Sequence, residues 1–122
     1  MRLHESAEDY LERILMLQIK NGRVKSIDIA NDMNFTKASV SIAMKKLKDE
    51  GHIIVDDKGL ITLTSSGLDI AQHIYERHET ISKTLIALGV NKEQALIDAC
   101  KIEHDLSEES YQAIKKYINK AK

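Results

Sequence analysis

Residues 26–63, SIDIANDMNFTKASVSIAMKKLKDEGHIIVDDKGLITL, decide the fold. Ser26 is a helix-capping residue type, and Ile27, Ile29, Ala30 and Met33 follow at helical spacing. A short helix is therefore expected over Ile27–Met33, with those four side chains inward. Asn34-Phe35 makes a tight turn, and Thr36 caps a third helix running from Lys37 to about Glu50. Its inward face is Val40, Ala43, Met44 and Leu47, and Gly51 stops it. His52-Ile53-Ile54-Val55 and Leu60-Ile61-Thr62-Leu63 are short strands, joined as a hairpin by Asp56-Asp57-Lys58-Gly59. Upstream, residues 5–20 mix acids with Tyr10, Leu11, Ile14, Leu15 and Leu17 at a helical period, and Asn21-Gly22 ends that first helix. Helix, helix, turn, helix, β-hairpin is the order of a winged helix-turn-helix.

Downstream, a long helix is expected from Thr64 or Ser65 to about Leu88, interrupted only by Gly67 near its start and closed by Gly89. Asn91 caps a helix through His104 or Asp105, and Ser107-Glu108-Glu109 opens a last one ending at Lys120. The chain is thus expected to be mainly α, with residues 1–64 forming the winged domain and 65–122 a helical one. At 122 residues, 43% hydrophobic and 30% charged, it has the composition of a soluble globular protein. No apolar run approaches the ~18 residues of a membrane span. Met1-Arg2-Leu3-His4-Glu5 is expected to run straight into a charged helix, without a signal peptide. The single cysteine excludes an internal disulfide and suits a reducing cytosol.

The net charge of −1 argues against a uniformly basic nucleic-acid binder, but its distribution is uneven. Residues 1–64 hold ten Lys/Arg and ten Asp/Glu, yet the third helix carries Lys37, Lys45, Lys46 and Lys48 before its first acid, Asp49. Its first turns offer Thr36, Lys37, Ser39 and Ser41, short groups suited to phosphates or base edges in a major groove. Lys25 before the second helix and Lys58 at the hairpin tip are placed to hold flanking backbone. With few base readers, affinity would lean on phosphates and hence on salt. A solvated lysine face on a protein-docking winged helix gives the same pattern.

Cys100-Lys101-Ile102-Glu103-His104 places a thiol, a carboxylate and an imidazole at i, i+3 and i+4, on one face of a helix. Asp9 and Glu12 have i, i+3 spacing on the first helix, and His78 lies on the long one. Such groups suit a divalent transition metal. Taken singly, they are more often a satisfied helix histidine, a small apolar thiol and solvated helix carboxylates; the joint spacing is what points to a metal.

Glu8-Asp9-Tyr10-Leu11-Glu12, the Ile29 to Leu47 helix-turn-helix, Leu63-Thr64-Ser65-Ser66-Gly67, Arg77-His78-Glu79 and Cys100-x-x-Glu103-His104-x-Leu106-Ser107 appear in this order. Together they resemble the diphtheria toxin repressor and manganese transport regulator family of metal-dependent transcriptional repressors, over residues 5 to about 120. The resemblance implies a cytoplasmic homodimer that binds double-stranded operator DNA when loaded with Fe(II) or Mn(II), with Zn(II) or Co(II) as in vitro substitutes. It is to the short two-domain members, with 65–122 as the metal-binding and dimerisation domain.

By position, Asp9, Cys100, Glu103 and His104 match one metal site, and Glu12 and His78, with Glu103 bridging, match a second. The match is a hybrid. Asp9 and Glu12 are manganese-type, whereas Cys100 is the iron-type residue. Ser82 and Leu96 stand where the iron-type ancillary site has a Glu and a His. A thiolate favours Fe(II), Co(II) or Zn(II) over Mn(II). Ile81, Leu85, Ile86, Leu88, Leu96 and Ile97 are the expected dimer surface. A thiol enzyme built on Cys100 and His104 is not expected, because no oxyanion-hole loop or third orienting residue accompanies them. The alternative kept open is a winged-helix regulator that senses redox state or a small organic ligand through Cys100.

Overall fold

The computed structural model describes residues 5–120; the expected lead-in Met1–His4 lies outside the described residues. The elements are α1 (Glu5–Asn21), β1 (Val24–Lys25), α2 (Ser26–Met33), α3 (Lys37–Asp49), β2 (Ile53–Val55), β3 (Leu60–Leu63), α4 (Ser65–Ala87), α5 (Lys92–Ile102) and α6 (Glu108–Lys120). They form two compact units, Met1–Gln72 and His73–Lys122, so the division falls inside α4.

The first unit is a winged helix-turn-helix. Leu11 and Ile14 of α1, Ile29 and Ala30 of α2, and Val40, Met44 and Leu47 of α3 are buried, as helical spacing requires. Thr36 caps α3 by accepting the Ser39 amide at 3.1 Å. Asn34 takes the left-handed conformation, φ 58°, that makes the turn between α2 and α3.

Three details depart from the sequence expectation. The wing is a three-stranded antiparallel sheet in the order β1-β3-β2, not a bare hairpin. Val24 pairs with Ile61 and Lys25 with Leu60, a strand too short to show alternation. That pairing holds Lys25 extended (φ −123°, ψ 163°), so Lys25 rather than Ser26 is the residue flanking α2. Its amide donates to the Asp28 carboxylate at 2.9 Å, one half of a capping box. Ile27, expected inward, is 38% exposed, because the eight-residue α2 buries only Ile29 and Ala30.

The wing is fastened to the start of α4. Thr64 Oγ1 donates to the Gly51 carbonyl at 2.7 Å, Ser66 Oγ lies 3.0 Å from His52 Nδ1, and the Gly67 amide donates to Thr64 Oγ1 at 3.2 Å. At Gly67 the backbones nearly touch: a Cβ there would sit 2.0 Å from the His52 carbonyl oxygen.

The second unit packs α5 and α6 with the rest of α4 around Ile74, Ile81, Ala95, Ala99 and Tyr111, all buried. Asn91 caps α5 by accepting the Gln94 amide at 2.9 Å. The helix stops at Ile102, short of the expected His104 or Asp105, and residues 103–105 are a turn. Of the expected dimer surface, Ile81 is buried, whereas Ile86, Leu88, Leu96 and Ile97 are 43%, 75%, 38% and 52% exposed. No described helix is long and apolar enough to cross a membrane.

Candidate functional site

Within the second unit, α4 and the end of α5 bring three kinds of donor atom together. His78 Nδ1 lies 3.0 Å from Glu103 Oε2 and 3.7 Å from Cys100 Sγ. The thiol, the imidazole and the carboxylate all lie within 4.8 Å of one another. Glu103 is fully buried, and its other oxygen, Oε1, lies 3.4 Å from His104 Nε2. Cys100 itself is exposed, so the donor group opens on its thiol side.

Glu103 therefore faces two imidazoles, one through each oxygen. The sequence put Cys100, Glu103 and His104 on one helical face; the structure groups Cys100 with His78 and Glu103 instead. The reason is local. Glu103 is still helical (φ −57°, ψ −29°), but α5 has ended, and His104 leaves the helix in the following turn. Asp9 and Glu12 lie one turn apart on α1 in the first unit, Asp9 half-buried and Glu12 buried. Burial raises the Tyr10 phenol above its ordinary range, and the neighbouring Asp9 charge adds to the shift.

The donor set fits a divalent transition metal. Bonds of about 2.0–2.3 Å to N, O and S place neighbouring ligand atoms about 3.3–3.8 Å apart in a tetrahedral shell, close to the separations at His78. Ser82, buried, donates to the His78 carbonyl at 2.6 Å, so it orients the helix backbone and brings no carboxylate.

One residue that sequence reasoning quoted without a role sits behind this group. Arg77 is buried, and its guanidinium donates to the Glu103 carbonyl at 3.1 Å and to the Leu106 carbonyl. It also lies over the Tyr111 ring at 5.0 Å and 3.5 Å from Glu108 Oε1. Gln112 holds the Glu108 carboxyl below the usual range by a hydrogen bond, with help from the His73 and Arg77 charges. Arg77 thus fixes the backbone on which Glu103 and His104 are mounted. Its signal in the sequence is a lone arginine beside a ligand-type histidine, and its partners lie 26 and 29 positions away. Replacement by Met, which keeps the bulk, is expected to weaken metal binding roughly 10-fold or more, the scale seen when a ligand's support is removed. Replacement by Lys should restore part of it. Chelator competition measures this, and unchanged affinity in Arg77→Met would refute the supporting role.

The first unit carries the candidate nucleic-acid surface. Lys37, Ser39, Ser41 and Lys45 of α3 are exposed, as are Lys25 beside α2 and Lys58 at the wing turn. Thr36 Oγ1 donates to Ser39 Oγ at 2.9 Å. Lys37 and Ser41 join Ser26 and Ile27 in lining a cavity of about 240 Å³ at the starts of α2 and α3. Lys45 reaches Asp49 at 3.5 Å, an exposed pair of the kind that contributes little and exchanges readily for phosphate. The Asp56 carboxylate accepts the Lys58 and Leu60 amides, both at 2.9 Å, and so shapes the wing turn.

Residues 2–60 match the iron dependent repressor N-terminal DNA binding domain, and residues 64–122 match the iron dependent repressor metal binding and dimerisation domain. The HTH-type transcriptional regulator MntR of Bacillus subtilis is 34% identical over 102 residues, 84% of this chain and 72% of that protein. The chain belongs to the iron-dependent repressor family. An uncharacterized HTH-type transcriptional regulator of Methanocaldococcus jannaschii, MJ0568, is 35% identical over 98% of both chains. Among solved members of similar fold, T. acidophilum IdeR superposes with a TM-score of 0.82 at 26% identity. It matches 98% of this chain, which spans 55% of the IdeR chain. A manganese-dependent transcriptional repressor in complex with manganese superposes with a TM-score of 0.84 at 25% identity, over 93% of this chain and 52% of that one.

Proposed function

We propose that this iron-dependent repressor family member is a DNA-binding transcriptional repressor of metal-homeostasis genes. It acts as a cytoplasmic homodimer, is not an enzyme, and takes Fe(II) or Mn(II) as its signal. The observation that carries the reading is the thiol, imidazole and carboxylate of Cys100, His78 and Glu103, gathered in a unit joined to a winged helix-turn-helix.

Asp9, Glu12, His78, Cys100, Glu103 and His104 are the ligands we assign, with the two α1 carboxylates completing the set as the family resemblance implies. A bound divalent cation supplies the positive charge that offsets Asp9, Glu12 and Glu103. Without it, those carboxylates repel one another and disfavour the arrangement that binds DNA. Arg77 holds the Glu103 backbone in place, and Cys100 sets the softness of the donor set. In the dimer, the two α3 helices must lie about one DNA turn apart, ~34 Å, to enter successive major grooves. By linkage, operator DNA must tighten metal binding by the same factor as metal tightens DNA binding. The exposed Ile86, Leu88, Leu96 and Ile97 supply apolar surface for the dimer. The 64/65 boundary between the DNA-binding and metal-binding domains is the one we propose.

The test is fluorescence anisotropy of promoter duplexes, titrated anaerobically with Fe(II), Co(II), Mn(II), Zn(II) or chelator. Metal is expected to tighten binding, with Fe(II) and Co(II) ahead of Mn(II) at matched free concentration. Cys100→Glu should narrow that gap by favouring the harder ion. Binding indifferent to metal and chelator alike would overturn the reading, and an unchanged metal order in Cys100→Glu would remove Cys100 from the donor set.

A further inference from the structure

Ile42 is out of place by every rule that shapes the rest of α3. The helix buries Val40, Met44 and Leu47, and its exposed residues besides Ile42 are Lys37, Ala38, Ser39, Ser41, Lys45, Lys46, Lys48 and, at its end, Asp49, which pairs with Lys45. Ile42 lies among them and is 73% exposed. A β-branched side chain there helps neither the helix nor the core. Nor is it part of an apolar patch on α3. Its neighbours one turn away, at i−4, i−3, i+3 and i+4, are Ala38, Ser39, Lys45 and Lys46, two small residues and two cations.

That setting describes an occupant. Lysines at both ends of the exposed face call for a polyanion, and Ala38 and Ser39 let the helix backbone approach closely. The second turn of a recognition helix lies at base edges, where thymine alone of the four bases presents a methyl group. We infer that Ile42 contacts the C5-methyl of one thymine in each half-site, and is a specificity-determining residue of this chain. The inference rests on the proposed DNA-binding function. Lys37, Lys45 and Lys58 would hold the phosphates and carry no sequence information of their own, whereas Ile42 distinguishes T·A from the other pairs.

The test separates the methyl from everything else in the base. Preferred duplexes are selected from a random library with the metal-loaded full chain, and each thymine is replaced in turn by deoxyuridine, which lacks only that methyl. At one thymine per half-site, the wild type is expected to lose about fourfold in affinity, the burial of one methyl group, and roughly 10–20-fold with both half-sites substituted. Ile42→Ala should bind the thymine duplex weaker by a similar factor and ignore the uracil replacement at that position. Its salt dependence should match wild type, because no phosphate contact is lost. Ile42→Val should keep most of the discrimination. Wild-type binding that is indifferent to uracil at every position would overturn the inference, as would full sensitivity retained in Ile42→Ala. Failure to select any duplex that binds better with metal than with chelator overturns the DNA-binding reading as well, so the two failures are told apart.

Discussion

Replacing Glu103 with Ala is expected to abolish metal-dependent DNA binding while leaving a folded dimer. Glu103 is fully buried, with one oxygen 3.0 Å from His78 Nδ1 and the other 3.4 Å from His104 Nε2. Both imidazoles are thus organised around a single carboxylate, and its loss removes a donor and the group that orients two more. Metal affinity should fall by more than about 100-fold, beyond the 10–100-fold typical of losing only a ligand's partner. Glu103→Gln keeps the shape but not the charge, and turns one of the two acceptor atoms into a donor, so it should lose most of the same affinity. Calorimetric metal titration and operator anisotropy report the two effects, and size-exclusion chromatography reports the dimer. If Glu103→Gln still tightens on DNA to within threefold of wild type on adding metal, Glu103 is not a ligand.

Gly67→Ala should destabilise the junction between the wing and the start of α4. On helix propensity alone it would gain about 1 kcal/mol, because alanine is the better helix former. The new Cβ would instead lie 2.0 Å from the His52 carbonyl oxygen and 3.0 Å from its carbon, backbone atoms that cannot rotate away. Relief requires the start of α4 to separate from the wing, breaking the Thr64 and Ser66 contacts to Gly51 and His52. Overpacking of this kind costs about 1–3 kcal/mol, and backbone atoms that cannot yield put it at the upper end, so the net change should be a loss of up to about 2 kcal/mol. The measurement is the thermal midpoint, which should fall by several degrees. A midpoint that holds or rises would mean that the close approach relaxes without penalty.

How much of this was legible in the sequence depends on the range of the interaction. Thr36, Gly51, Asn91 and Gly89 are local signals, and the helix ends they mark fall where expected. Gly67 was visible as an interruption of a helix, but the reason for it lies across the chain at His52. β1 was invisible because two residues carry no period, and Lys25 took the capping place from Ser26 only because β3 pairs with it. At the candidate metal centre, the residue types and the family resemblance were readable. The grouping was not, because Cys100 meets His78 across 22 positions and α5 ends where Arg77 takes the Glu103 carbonyl. Spacing along one helix describes neighbours on that helix, and two helices are needed to build this donor set.

The fastening of the wing to α4 has a consequence for how the molecule opens. By backbone hydrogen bonding α4 is one element, but its first turn is tied to Gly51 and His52 while Arg77 and His78 are engaged with α5 and the turn that follows. Loosening α5 and α6 would therefore fray α4 from its C-terminal side and leave the first turn standing with β2 and β3. The seam between two cooperative opening units then runs through the middle of a helix, not through a loop.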